Sequence, residues 1–244
     1  VHPHPHALRS RPRRAVDDLT TGLAEGLRLL VSGDRDVWQI VALSLRVSLL
    51  ATGISLLLGA PIGLLLALAR MPARPLLVGT VHAGMGLPPV VAGLAVSLLL
   101  WRNGPLGALG LLYTPTAMVV AQAAIATPIV AGLTLAAISG LDPRYRLQLR
   151  ALGASRAQTA WWLLREARIG IVAAVVAGFG AIISEVGAAM MVGGNIKGET
   201  RVLTTATVLE VSRGNFETAI ALSFVLLLLV YAVVLALTLL QGRR

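Results

Sequence analysis

The chain contains no cysteine. That excludes disulfides, thiol nucleophiles, iron–sulfur clusters and cysteine-type zinc sites, and leaves the redox compartment unreadable. Charge is scarce at 13% of 244 residues, and acids are scarcer still, 11 against 21 Lys and Arg, for a net charge of +10. Aromatics make up only 4%, and the arginines are spread over a tail and loops rather than interleaved with aromatics on one face, so the positive balance does not read as nucleic-acid binding. What is abundant is apolar: 56% of residues are hydrophobic and the mean hydropathy is +0.81, the composition of a polytopic membrane protein. A span needs about 20 apolar residues, so this length holds about five or six helices and no sizeable soluble domain. A catalytic ATPase has no room here.

Further absences narrow the class. Gly193, Gly194 and Gly198 lack the G-x-x-x-x-G-K-[ST] spacing and follow no buried strand, so they do not read as a nucleotide phosphate loop. No carboxylate pair, histidine cluster or nucleophile–base pair sits at a common depth, which argues against a membrane enzyme. No catalytic residue, cofactor or metal site is assigned. No internal repeat is visible, which weakens an inverted-repeat secondary transporter.

The apolar text divides at polar interruptions into five expected spans: Ile40 to Ala69, Leu76 to Leu100, Thr116 to Ser139, Ile169 to Val192 and Ala219 to Leu240. The fold class expected is therefore all-α, a polytopic membrane helix bundle spanning residues 36–242. Ahead of it, residues 1–35 read as a basic tail and a surface helix. Val1–Arg14, alternating His and Pro before its arginines, is expected to be disordered. Val16–Ser32 is amphipathic but too polar to span, and is expected to lie on the membrane surface. Pro61, Pro88, Pro89 and Pro128 fall inside spans and are expected to bend them.

The longest polar interruption, 140–168, organises the rest. Asp142 and Pro143 suit the N-cap and first turn of a helix, Gly153 the positive φ that ends one, and Ser155 with Gln158 a capping box that starts the next. Arg144, Arg146, Arg150, Arg156, Arg165 and Arg168 make it the densest cationic stretch between spans, so the positive-inside bias places it in the cytoplasm. Arg70, Arg74, Arg243 and Arg244 then fall inside as well. Five spans put the amino terminus outside with its arginines, against that bias; an exported tail and a start further along the chain both account for it.

This stretch resembles the cytoplasmic loop of ATP-binding-cassette importer permeases, with Leu152-Gly153-Ala154-Ser155 at its glycine, although Leu147-Gln148-Leu149 stands where Glu-Ala-Ala is usual. A more specific match follows. Glu185, Gly187, Ala188, Gly194, Asn195, Ile196, Gly198 and Thr200 match the Glu-Phe-Gly-Ala … Gly-Asn-Ile-x-Gly-x-Thr pattern of sulfate and molybdate importer permeases. Paired Met190 and Met191 and the run Thr200-Arg-Val-Leu-Thr-Thr205 look most like the tungstate branch.

The resemblance implies a type I importer permease fold and a subunit that homodimerises in the inner membrane, in contact with lipid. It further implies an extracytoplasmic substrate-binding protein, and a separate ATP-binding subunit that grips Arg150, Ala151, Leu152, Gly153, Ala154 and Ser155 from the cytoplasm. The cargo implied is an oxyanion, tungstate first, then molybdate or sulfate; a secondary transporter or channel working without an ATPase is the competing class.

Two charges fall inside expected spans, Arg46 and Glu185, each costing about 2.5–3.5 kcal/mol if unpaired. Both lie roughly 10 Å below the outer end of their spans, so an ion pair between them is expected. Glu185, Gly187, Met190, Met191, Gly194 and Asn195 are the gate or pathway candidates, with Met190 and Met191 placed to form an apolar closure.

Overall fold

The structure, a computed structural model, describes residues 11–242, and among these it holds helices and turns with no strand. Three helices are each long and apolar enough to cross a membrane: α2 (Arg35–Leu68), α5 (Pro115–Ser139) and α11 (Phe216–Gly242). Two more candidates are bent pairs. α3 (Arg74–Met85) meets α4 (Pro89–Leu100) at 100°, and α7 (Arg156–Glu166) meets α8 (Arg168–Ile183) at 67°. Counting each pair as one gives five.

Two of the five expected spans are therefore not single rods. The second breaks at Gly86–Pro88 because Pro88 and Pro89 supply no N–H, and each drives the residue before it out of helical geometry. The fourth ends at Ile183; after Ser184–Val186 a separate short helix, α9 (Gly187–Gly193), takes its place. α1 (Arg11–Ser32) begins inside the segment expected to be unstructured, while residues 1–10 lie outside the described residues.

α5 is the axis of the bundle. Some 67% of its apolar stretch is buried, against 17% for α11. A stripe of small residues on α2, from Ser44 through Ser48, Ala51, Ser55 and Gly59 to Gly63, faces the bundle core. A β-carbon on Gly63 would stand 2.5 Å from the Ala131 carbonyl oxygen, and one on Gly59 2.9 Å from that of Thr127, so these glycines allow the α2 and α5 backbones to touch. Several hydroxyls along the same seam find acceptors across or within it, whereas that of Thr134 is buried without a partner. Ser48 Oγ donates to Gln122 Oε1 at 3.2 Å, and Thr127 Oγ1 to the Ala123 carbonyl at 2.7 Å.

α1 packs against the bundle. Gly22 and Gly26 seat it against the first turns of α11, where a β-carbon on Gly22 would clash with Ile220 at 2.6 Å. α10 (Leu203–Ser212) is likewise docked on the bundle, with Leu203, Thr204, Thr205 and Ala206 buried.

Candidate functional site

The elbow at 142–168 is built by local chemistry. The Asp142 carboxylate accepts from the Arg144 N–H at 2.8 Å and starts α6 (Pro143–Ala151). At its end Gly153 takes φ +78°; its N–H donates to the Arg150 carbonyl and that of Ala154 to the Leu149 carbonyl, both at 3.0 Å. This double closure satisfies carbonyls that a helix end otherwise leaves bare. The next residues form the expected capping box: Gln158 N–H donates to Ser155 Oγ at 3.2 Å, and Ser155 N–H to Gln158 Oε1 at 2.8 Å.

The elbow is fixed to the bundle and yet presents a free tip. Leu163 and Ala167 of its second arm are buried with Leu64 of α2 and Ile138 of α5. Leu152, beside the turn, is 85% exposed. One residue, Ala167, joins α7 to α8 at a bend of 67°.

At the other end of the bundle the expected gate residues fall on the α8–α9 break (Glu185), on α9 itself (Gly187, Met190, Met191) and on the loop after it (Gly194, Asn195). Glu185 caps its own next turn, Oε1 accepting from the Ala188 N–H at 3.1 Å. Gly187 and Ala188 pack on α4; a β-carbon on Gly93 would sit 2.6 Å from the Ala188 Cα. Val192 is fully buried, whereas Met190 and Met191 are partly exposed. The two methionines do not share a continuous helix with Glu185's predecessors, as the single fourth span had implied.

The expected ion pair between Arg46 and Glu185 is not formed. Among the described residues the ion pairs are Arg28–Glu25, Lys197–Asp36 and Arg213–Glu210. Helical azimuth explains the failure. Ser44 Oγ accepts from the Leu203 N–H at 2.9 Å, while Thr204 Oγ1 donates to the Glu185 carbonyl at 3.1 Å, so the Ser44 face of α2 looks toward Glu185. Arg46, two residues on, is turned about 200° away. It lines an outer cavity of about 280 Å³ with Asp36, Gln39, Lys197, Glu199 and Arg201.

Gly194 and Asn195 belong to a hydrogen-bonded knot that the sequence motif did not announce as such. Both take positive φ, +71° and +53°. Asn195 Nδ2 donates to the Thr205 carbonyl at 3.3 Å, and its side-chain and main-chain oxygens accept from Arg201 at 3.2 and 3.3 Å. Fully buried Thr200 donates to the Gly193 carbonyl and accepts from the Ile196 N–H at 3.0 Å. The signal for Thr200, Arg201 and Thr205 was present as the polar letters between two apolar segments.

A bundle whose spans are broken at mid-run and whose two longest polar segments form a capped elbow at one end and a closed knot at the other defines a class, the helical permease component of a membrane transporter. The description "Binding-protein-dependent transport system inner membrane component" matches residues 59–244. The chain belongs to that family, and is a multi-pass protein of the inner membrane.

Among curated relatives it is 40% identical over 218 residues to the tungstate uptake system permease protein TupB of Peptoclostridium acidaminophilum, covering 89% of this chain and 96% of that one. It is 42% identical over 200 residues to a probable anion ABC transporter permease protein of Haloferax volcanii, covering 80% and 86%. The molybdenum transport system permease protein ModB of Escherichia coli K12 is 30% identical over 177 residues, covering 69% and 77%. The fold is shared with a crystallised amino acid ABC transporter, TM-score 0.65 at 22% identity, covering 88% of this chain and 97% of that one. It is shared also with the MetNI methionine transporter, TM-score 0.62 at 19% identity, covering 86% and 97%.

Proposed function

We propose that this importer permease subunit works as a homodimer driven by ATP hydrolysis in a separate subunit, and that it carries an oxyanion, tungstate foremost, into the cytoplasm. The observation that carries the reading is the elbow: a double-capped turn with Leu152 projecting from it, anchored through Leu163 to α2 and α5 and joined to α8 by the single residue Ala167. Such a part is stiff enough to transmit a push and exposed enough to receive one. The ATP-binding subunit grips it at Arg150–Ser155. Closure of the ATPase dimer moves α7 and α8, and the path changes the side to which it opens.

At the other end an extracytoplasmic binding protein delivers the anion. Glu185 and Gly187 hold the α8–α9 break, Gly194 and Asn195 fix the loop beyond it, and Met190 with Met191 supplies an apolar closure. Their exposure on a single chain suits a closure completed by the second copy. Tungstate leads because the relatives bearing that name match at higher identity than the molybdenum and sulfate permeases. Uptake of labelled tungstate, molybdate and sulfate is measured in cells carrying the permease with its neighbouring binding protein and ATPase. ATP-dependent uptake with tungstate the preferred competitor is expected. Uptake that persists without any ATPase overturns the coupling, and preference for molybdate or sulfate replaces the cargo.

A further inference from the structure

We propose that the cavity between the end of α2 and the α6–α7 elbow is a binding site for a tetrahedral oxyanion group of the phosphate type, carried either by a free anion or by a lipid headgroup. Four guanidinium side chains, Arg70, Arg146, Arg150 and Arg156, line one cavity of about 720 Å³. An adjoining cavity of about 420 Å³ shares the first three. The volumes lie in the range of small-ligand sites. The four come from three different segments: the connection just after α2, α6 and the start of α7.

Nothing among the described residues neutralises them. Among the described residues no carboxylate pairs with any of the four. The one acid on the walls, Asp142 in the adjoining cavity, has an oxygen committed to the start of α6. Arg146 carries the unmet demand most plainly: its Nε is buried and has no hydrogen-bond partner. Burial, and then the charges of Arg150 and Arg70, push its pKa below the ordinary guanidinium value, and a bound anion would relieve both pressures. Guanidinium forks match the paired oxygens of a tetrahedral oxyanion, and two or more forks around one pocket give such a group several charge-assisted hydrogen bonds.

The remaining wall is apolar, formed by Leu64, Leu65 and Leu68 at the end of a membrane-crossing helix, with Leu65 exposed. A headgroup with its glycerol backbone meets this combination as well as a hydrated free anion does, because both present the same oxygens. The anion site does not depend on the proposed transport reading, although Arg150 and Ala154 also lie in the segment which that reading gives to the ATP-binding subunit, and the pocket's cytoplasmic location comes from there.

The test uses the full chain purified in a neutral detergent and reads binding, not transport. Titration calorimetry is run with inorganic phosphate and with tungstate; separately, the protein is passed through nanodiscs of phosphatidylcholine with and without phosphatidylglycerol, and retained lipid is weighed by native mass spectrometry. The variants are Arg146→Gln, Arg150→Gln, both together and, as a control, Arg213→Gln at the opposite end.

Saturable binding of phosphate or tungstate that the double variant weakens by at least about tenfold identifies a free-anion site. Phosphatidylglycerol retained by wild type and the Arg213 variant but not by the double variant, without binding of either soluble anion, identifies the headgroup. Arg146→Lys keeps the charge and loses the fork, so it should retain only part of the binding. Removing mutual repulsion should leave the double variant's melting temperature unchanged or raised; if it falls, Arg70→Gln alone serves in its place. Absence of anion and lipid from wild type overturns the proposal. So does binding of anion or lipid that the double variant retains at the wild-type level, since the arginines would then not form the site.

Discussion

The two ends of this bundle handle charge in opposite ways. At the elbow the arginines outnumber any available carboxylate, a leucine projects into the open, and hydrogen bonding serves only to stiffen the turn. At the knot the reverse holds: Asn195, Thr200, Arg201 and Thr205 bond to one another or to neighbouring backbone, and the exposed Lys197 is paired with Asp36. An end that satisfies itself is a fixed part of the molecule. One that leaves exposed apolar and cationic groups is shaped for something outside the chain.

The sharpest way to break this contrast is Gly153→Asp. Its φ of +78° is open to Asp at modest strain, and no atom lies within 4 Å of where a β-carbon would be. The substitution should therefore keep the fold and cost about 1–2 kcal/mol in the unfolding of the purified protein, while ATP-linked uptake drops to background, because a carboxylate would then sit on the surface proposed to be gripped. Normal uptake by this variant would remove the elbow from the coupling path.

The knot should respond in the opposite sense. Thr200→Val keeps the shape of a fully buried side chain but removes a donor to the Gly193 carbonyl and an acceptor for the Ile196 N–H. Leaving two buried groups unmet costs about 2–6 kcal/mol, seen as a lower melting temperature with uptake per folded molecule retained. A variant that melts normally but fails to transport would make Thr200 part of the path rather than of the scaffold.

The elbow was legible in the sequence because its cause is local: Asp142, Pro143, Gly153, Ser155 and Gln158 encode caps that need no distant partner. Three membrane-length helices were legible from apolar length, and five crossings only where each bent pair counts as one span. The α8–α9 break was not, since Ser184–Val186 interrupts the run without proline or glycine at the break itself. The pairing of Arg46 with Glu185 failed because equal depth fixes one coordinate and leaves the angle around the helix open. Gly59–Gly63 and Gly22–Gly26, each four apart, were a readable sign of close helix approach whose partners, α5 and α11, only the tertiary fold supplies.

A smaller effect separates the two roles left to Glu185. Its Oε1 caps α9 through the Ala188 N–H, a bond that an amide oxygen can replace. Glu185→Gln should keep both stability and uptake, whereas Glu185→Ala should lose about 1 kcal/mol in the unfolding of the purified protein. Loss of uptake by the glutamine variant at unchanged stability would assign the charge itself a gating role.

The smallest effect is expected where the knot meets solvent. Lys197 and Asp36 form an ion pair whose side chains are 66% and 58% exposed, and exposed pairs contribute about 0–1 kcal/mol because water and salt screen them and two side chains lose freedom. Lys197→Met should shift the melting temperature little, and the shift should vanish in high salt. Lys197 also borders the outer cavity with Arg46 and Arg201, so the same variant separates structure from delivery: a fall in uptake that scales with ionic strength, at constant stability, places the lysine on the anion's approach, whereas a salt-insensitive loss of stability would mean that the self-contained end depends on its rim more than its hydrogen bonds imply.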